Sequence, residues 1–269
     1  MQKPSAVSNY FSLIKFSHTV FALPFAVIGF SVAVYLTDFI LPWDKLTLVI
    51  LCMVFARSAA MAFNRFADRH IDKENTRTSS REIPSGIIKP EAALWFAIIS
   101  GLLFVASSFF INNLCFYLSP VALLIILGYS YTKRFTFLSH LVLGLGLALA
   151  PIGAYLAVTG KFALLPLLFS FVVLFWVSGF DIIYALQDFG FDKSQNLRSI
   201  PVATGKKAAL RWSALFHLFT TGFVIYAGYA GNFGGWYWAG CAIFTSLLIY
   251  QHTLVKPHDL SKVNLAFFT

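Results

Sequence analysis

The sequence predicts an all-α fold, a polytopic membrane helical bundle, and three observations carry that reading. The 269 residues are 58% hydrophobic and only 12% charged, against roughly 45–50% and about 25% in a soluble domain. The mean hydropathy is +0.76. The apolar residues form continuous runs of about 20, the length that crosses a hydrocarbon core, and not the alternation of a barrel. One domain covering residues 1–269 is expected at this length.

Eight transmembrane helices follow in chain order, at 19–37, 46–66, 91–112, 114–131, 136–158, 162–187, 208–230 and 234–251. The stretch before the first is not a cleavable signal peptide. Lys15 and His18 interrupt it, and no small-residue cleavage site follows. The loop after the second helix holds Arg65, Arg69, Lys73, Arg77, Arg81 and Lys89. The loop after the fourth holds Lys133 and Arg134, and the loop after the sixth holds Lys193, Arg198, Lys206, Lys207 and Arg211. With Lys3, Lys15, Lys256 and Lys262 at the termini, 17 of the 20 basic residues fall on one side. The opposite loops hold only Lys45 and Lys161, while Arg57 lies inside the second helix. The basic side is therefore expected in the cytoplasm, with both termini. The net charge of +9 is read as these loops, and no nucleic-acid partner is expected. Cys52, Cys115 and Cys241 stand alone in apolar runs and read as small packing residues.

Two acidic clusters lie on the basic side. In NRFADRHID, residues 64–72, Asn64, Asp68 and Asp72 are spaced by four. On a helix each step of four drifts only about 40°, so the three line one face. In DIIYALQDFGFD, residues 181–192, Asp188 and Asp192 follow Asp181 by seven and eleven residues. Those steps fall within roughly 20° of whole turns, which puts three carboxylates on one stripe if the helix persists. Stacked carboxylates repel, and Asp181 lies deep enough in an apolar run for its charge to be costly. The donors are all oxygen, so a hard ion such as Mg²⁺ fits and zinc does not. Mg²⁺ favours one or two carboxylates together with substrate phosphates, which points to a phosphate-bearing substrate. The plain alternative is two solvated helix ends matched to nearby arginines. The recurrence of the same helical logic on one side disfavours it.

At these residues the chain resembles the UbiA superfamily of intramembrane prenyltransferases. The first signature reads Asn64-x3-Asp68-x3-Asp72. The second reads Asp181-x2-Tyr184-Ala185-x2-Asp188-x3-Asp192. A third, YSYTKR, supplies Tyr129, Lys133 and Arg134. IKFSHTVFALPF and RTSSREIPSG are also similar to family members, and Glu82 stands where proline is common. The likeness is strongest to the 4-hydroxybenzoate polyprenyltransferase-like branch with its menaquinone-pathway relatives. The family usually has nine helices. Here SKVNLAFFT reaches Thr269 where the ninth would begin, so that helix is expected to be absent.

The resemblance implies Mg²⁺-dependent transfer of a polyprenyl group from an allylic polyprenyl diphosphate to an aromatic acceptor. It implies that Asn64, Asp68, Asp72, Asp188 and Asp192 hold two Mg²⁺ ions against the diphosphate. Lys133 and Arg134 would add charge-assisted contacts, and Lys73, Arg77 and Arg81 would close over the site. Tyr129 and Tyr184 would face the allylic cation. Asp181 would orient the acceptor or take its proton. Arg57 would meet the acceptor carboxylate, the diphosphate or Asp181, and His18 would help place the acceptor. Membrane lipids are the remaining partner, and a bacterial inner membrane the expected location. The rival reading from the residues is an ion-coupled transporter that uses the intramembrane acids.

Overall fold

The computed structural model describes residues 5–15, 19–37 and 41–267. His18 lies outside them. Helices occupy all eight expected segments. Six of the described helices are long and apolar enough to cross a membrane, and Ala22–Tyr35 adds a shorter apolar stretch. The protein is an integral membrane protein. The chain forms two compact units. The first comprises residues 1–131 and 153–161, the second 132–152 and 162–269.

The first unit contains α1 (Ala6–Leu13), α2 (Thr19–Tyr35), α3 (Trp43–Ala67), α4 (Arg69–Glu74), α5 (Pro90–Ile111) and most of α6 (Asn113–Thr132). Helix α1 is capped by Ser5, whose Oγ accepts from the Ser8 N–H at 3.2 Å. Its end, Leu13 and Ile14, is buried with Ala62 of α3, Ala93 and Ala97 of α5, and Ile83 and Ile88. Ile83 and Ile88 belong to the segment between α4 and α5, so that loop has an apolar anchor of its own. Its turns are closed by backbone bonds, among them Thr78 N to Asn75 O at 2.9 Å and Ile88 N to Glu82 O at 2.9 Å. Ser12 donates to Glu82 and ties α1 to the same loop. Small residues line the α5 face that meets α3, with Ala93, Ala97 and Ser108 buried. That composition lets membrane helices approach closely where apolar contact alone gives little driving force.

Helix α7 (Ser139–Thr159) begins in the second unit, while its residues from Gly153 belong to the first. The rest of the second unit is α8 (Leu164–Ala185), a 3₁₀ turn (Leu186–Asp188), α9 (Phe189–Ser194), α10 (Ile200–Thr204), α11 (Lys206–Ala230), α12 (Gly235–Leu254) and α13 (Val263–Phe267). Helix α8 is the centre of this unit, buried at twelve positions from Leu165 to Ile183. Against α11, Ser213 Oγ donates to the Gly179 carbonyl at 2.7 Å. His217 Nε2 lies 3.3 Å from the Trp176 carbonyl, and its Nδ1 lies 2.8 Å from His252 Nε2 of α12. Much of the aromatic content is filling here, with Phe175 stacked on Phe223 at 5.8 Å and Phe171 on Phe223 at 5.1 Å. At the end of the described chain α13 packs on α8 through Val263 and Ala266, and Gln251 donates to the Ala266 carbonyl at 2.6 Å.

The α7–α8 contact depends on one missing side chain. A Cβ on Gly144 would stand 2.5 Å from the Leu174 carbonyl oxygen and collide with Ser178 Oγ. Backbone cannot yield as a flexible side chain can. Gly144→Ala is therefore expected to force the two helices apart and to cost about 1–3 kcal/mol of stability, read as a lowered thermal midpoint in lipid or detergent. Gly153→Ala on the same helix, where a Cβ meets nothing within 4 Å, is the control and should leave the midpoint unchanged.

Candidate functional site

Both aspartate motifs straddle a break in a helix. The expectation of unbroken helical faces is corrected here. Helix α3 stops at Ala67, Asp68 sits at φ −92°, ψ 4°, and α4 starts at Arg69. Helix α8 stops at Ala185, the 3₁₀ turn carries the chain to Asp188 at φ −96°, ψ 6°, and α9 follows. The two aspartates thus adopt the same bridge conformation, which recurs at active-site residues. Each is followed by a six-residue helix, RHIDKE after Asp68 and FGFDKS after Asp188. Asp72 and Asp192 lie in the first turn of those helices, where the exposed N–H groups and the helix dipole favour negative charge. Neither break is marked by proline. The backbone stays hydrogen-bonded across the first break through bonds of ordinary four-residue reach, Asp68 N to Asn64 O at 2.9 Å and Asp72 N to Asp68 O at 2.8 Å.

In the first unit, Asp68 and Asp72 are both buried, at 4% and 5% exposure. The Asn64 amide donates to Asp68 Oδ2 at 3.1 Å, and Ser130 Oγ lies 3.4 Å from the same nitrogen. Arg81 donates to Asp72 Oδ1 at 2.8 Å. Asp72 Oδ2 is buried without a hydrogen bond. A buried carboxylate oxygen left in that state is costly, and it fits a hard cation. Among the described residues no three His, Cys, Asp or Glu side chains gather to hold a metal. The Asn64 amide oxygen, water and substrate oxygens would have to complete the shell, as Mg²⁺ commonly requires.

The basic residues divide. Arg81 donates to Asp72, and Lys73 and Arg77 lie at exposed positions of the neighbouring chain. Arg57 is half-buried in α3, with Tyr129 in electrostatic range and its Nε buried and unbonded. Arg65 is buried among Arg81, Asp72, Glu82 and Tyr129. Counting it as a loop cation hid this role. The signal that could have revealed it is its place within a turn of Asn64 and Asp68 on the same helix.

In the second unit, α9 is closed by Asn196 at φ 54°, a left-handed position that asparagine tolerates. The Leu197 N–H then returns to the Asp192 carbonyl at 2.9 Å. The next residue, Arg198, donates its backbone N–H to the Lys133 carbonyl at 2.7 Å and its guanidinium to the Phe135 carbonyl at 2.8 Å. The Lys133–Arg134 turn is thereby fastened to the segment that follows the second motif. Tyr184 lies 4.8 Å from Phe267, against the core cluster that holds Ile182, Ile183 and Val263. Asp181 is the one motif carboxylate with a histidine partner among the described residues, His140 Nδ1 at 2.6 Å from Oδ2. The sequence reading missed His140 altogether.

Comparison with known proteins gives the family. The family model described as the UbiA prenyltransferase family matches residues 22–269. The 4-hydroxybenzoate octaprenyltransferase of Nitrosomonas eutropha is 30% identical over 226 residues, which cover 83% of this chain and 79% of that protein. That of Aliivibrio fischeri is 30% identical over 224 residues, covering 81% and 75%. A UbiA homologue from Aeropyrum pernix superposes with a TM-score of 0.85 at 30% identity, covering 94% of this chain and 92% of that one. A UbiA homologue from Archaeoglobus fulgidus bound to DMAPP and Mg²⁺ shares the fold, with a TM-score of 0.74 at 21% identity over 97% and 96% of the two chains. With nearly the whole sequence matched and the paired aspartate motifs in place, the chain belongs to the UbiA prenyltransferase family.

Proposed function

We propose that this UbiA-type aromatic prenyltransferase carries out Mg²⁺-dependent transfer of a polyprenyl group from an allylic polyprenyl diphosphate to an aromatic acceptor of quinone biosynthesis. The acceptor is of the 4-hydroxybenzoate or dihydroxynaphthoate type. The observation that carries the reading is the repeated break-and-helix motif, Asp68 with Asp72 and Asp188 with Asp192, in one backbone conformation. Relatives named 4-hydroxybenzoate octaprenyltransferase support the aromatic acceptor. Homologues bound to DMAPP and to GPP with Mg²⁺ support the metal and the diphosphate. Membership in a prenyltransferase family favours transfer over ion-coupled transport. Two ions, a bacterial inner membrane and a cytoplasmic active face complete the proposal, the last supported by the basic loops.

Asn64, Asp68 and Asp72 would hold metal in the first unit, and Asp188 and Asp192 in the second. When bound, Mg²⁺ neutralises charge on the departing diphosphate. Asn64 fixes Asp68, and Arg81 fixes Asp72, so the carboxylates are set before substrate arrives. Lys133 and Arg134, in a turn held by Arg198, offer further charge-assisted contacts to phosphate oxygens. Arg57, with an unbonded Nε, has a donor available for an anionic group of either substrate. Tyr129, and Tyr184 on whichever face Phe267 leaves free, would offer their rings to a developing cation.

Purified protein in lipid, given a prenyl diphosphate and Mg²⁺, should prenylate 4-hydroxybenzoate or a dihydroxynaphthoate, detected by mass spectrometry of the product. The product should vanish with EDTA and return with added Mg²⁺. Transfer to neither acceptor would overturn the assignment. Asp68→Ala and Asp188→Ala should each lower transfer by at least about 10²-fold, the scale for losing one preorganised electrostatic contact, with expression and thermal midpoint retained. Near-normal turnover in both would remove the metal assignment.

A further inference from the structure

We infer that His140 is a positioning residue for the aromatic acceptor, acting through Asp181. The inference rests on the proposed transfer to an aromatic ring. His140 lies on the first turn of α7 and is only 4% exposed. Its Nδ1–H donates to Asp181 Oδ2 at 2.6 Å, while a quarter of the Asp181 side chain stays accessible. The other carboxylate oxygen, Oδ1, has no hydrogen bond among the described residues and is not among the sealed atoms. One oxygen is therefore anchored from behind and the other is open in front.

The backbone around the pair serves this contact. Ser178 Oγ lies 2.7 Å from the Leu174 carbonyl and 3.1 Å from the His140 carbonyl, which share its one hydroxyl proton. Gly144, one turn beyond His140, lets α7 settle against α8 at Leu174 and Ser178. Asp181 is three residues past Ser178 on the same helix, so the close helix contact and the dyad share one register. The second imidazole nitrogen, Nε2, is buried and has no partner. Here Asp181 is the imidazole's one side-chain polar anchor, and the bond serves the carboxylate.

In the reaction, the allylic C–O bond breaks and its electron pair leaves with the diphosphate. A ring carbon of the acceptor forms the new C–C bond with its π electrons. The proton on that carbon must then leave to restore the aromatic ring. Asp181 Oδ1 is the open base that receives it, and later passes it to water. His140 fixes that oxygen's direction, and touches no reacting atom itself.

The test compares His140→Ala with His140→Asn, whose amide Nδ2 keeps a donor near the place of Nδ1. His140→Ala should lower kcat/KM for the aromatic acceptor by about 10²-fold, the usual scale of general-base assistance. The KM for prenyl diphosphate should stay within about twofold, which also shows that the protein is folded. His140→Asn should recover most of the loss, and His140→Ala should add little in an Asp181→Asn background. Wild-type acceptor kinetics in His140→Ala, or no rescue by Asn with the diphosphate KM intact, would overturn the inference. A second readout does not need turnover. In ¹⁵N-histidine-labelled protein in lipid, the Nδ1–H resonance of His140 should be lost in Asp181→Ala, which removes the acceptor, and should move when 4-hydroxybenzoate or a dihydroxynaphthoate is added. A wild-type protein that transfers nothing would count against the proposed reaction. A resonance unmoved by every acceptor would count against the inference.

Discussion

A carboxylate at the end of an apolar helix persists only if something meets it, and the sites of this protein are organised by that requirement. The cost of an unmatched charge rises steeply with depth in a bilayer. Asp68 is met by an amide, Asp72 by a guanidinium on one oxygen, and Asp181 by an imidazole. Two of these pairings are incomplete, since Asp72 Oδ2 remains sealed and unbonded and Asp181 Oδ1 remains open. The shortfall is what separates these groups from structural ion pairs. A fully matched pair has nothing to offer a ligand.

The same requirement accounts for where the helices break. Continuous α-helix is the default in a membrane because every backbone group must be satisfied within the segment. Irregular backbone is tolerated where it faces polar groups. Asp68 and Asp188 interrupt their helices at the point where polar residues begin to outnumber apolar ones. The six-residue helices that follow turn Asp72 and Asp192 into first-turn residues. A straight helix would have given the stripe of carboxylates that spacing alone suggests. The break instead gives each second aspartate a helix N-terminus.

How much of this was legible in the sequence depends on the distance over which the information acts. The eight helical segments could be read because burial in lipid demands runs of about 20 apolar residues. The two motifs could be read because four-residue spacing is local. The breaks could not, because neither carries proline or glycine at the aspartate, and a 3₁₀ turn differs from an α turn by one hydrogen bond. Arg81 could not be distinguished from Lys73 and Arg77, since loop packing through Ile83 and Ile88 decides which cation faces Asp72. His140 carried no signal, because its partner is 41 residues away on another helix. Within the first unit, Arg65 was hidden by its resemblance to any basic residue near a membrane surface.

The anchored loop between α4 and α5 has a consequence for the cation it carries. Ile83 and Ile88 are almost fully enclosed, at 6% and 5% exposure. Drawing both into water would cost about 1.5–3 kcal/mol each, before the Ser12–Glu82 and Arg81–Asp72 contacts are broken. Such a segment stays shut far longer than it stands open. Arg81 is thus held against Asp72 by the packing of its own loop as well as by the charge it meets.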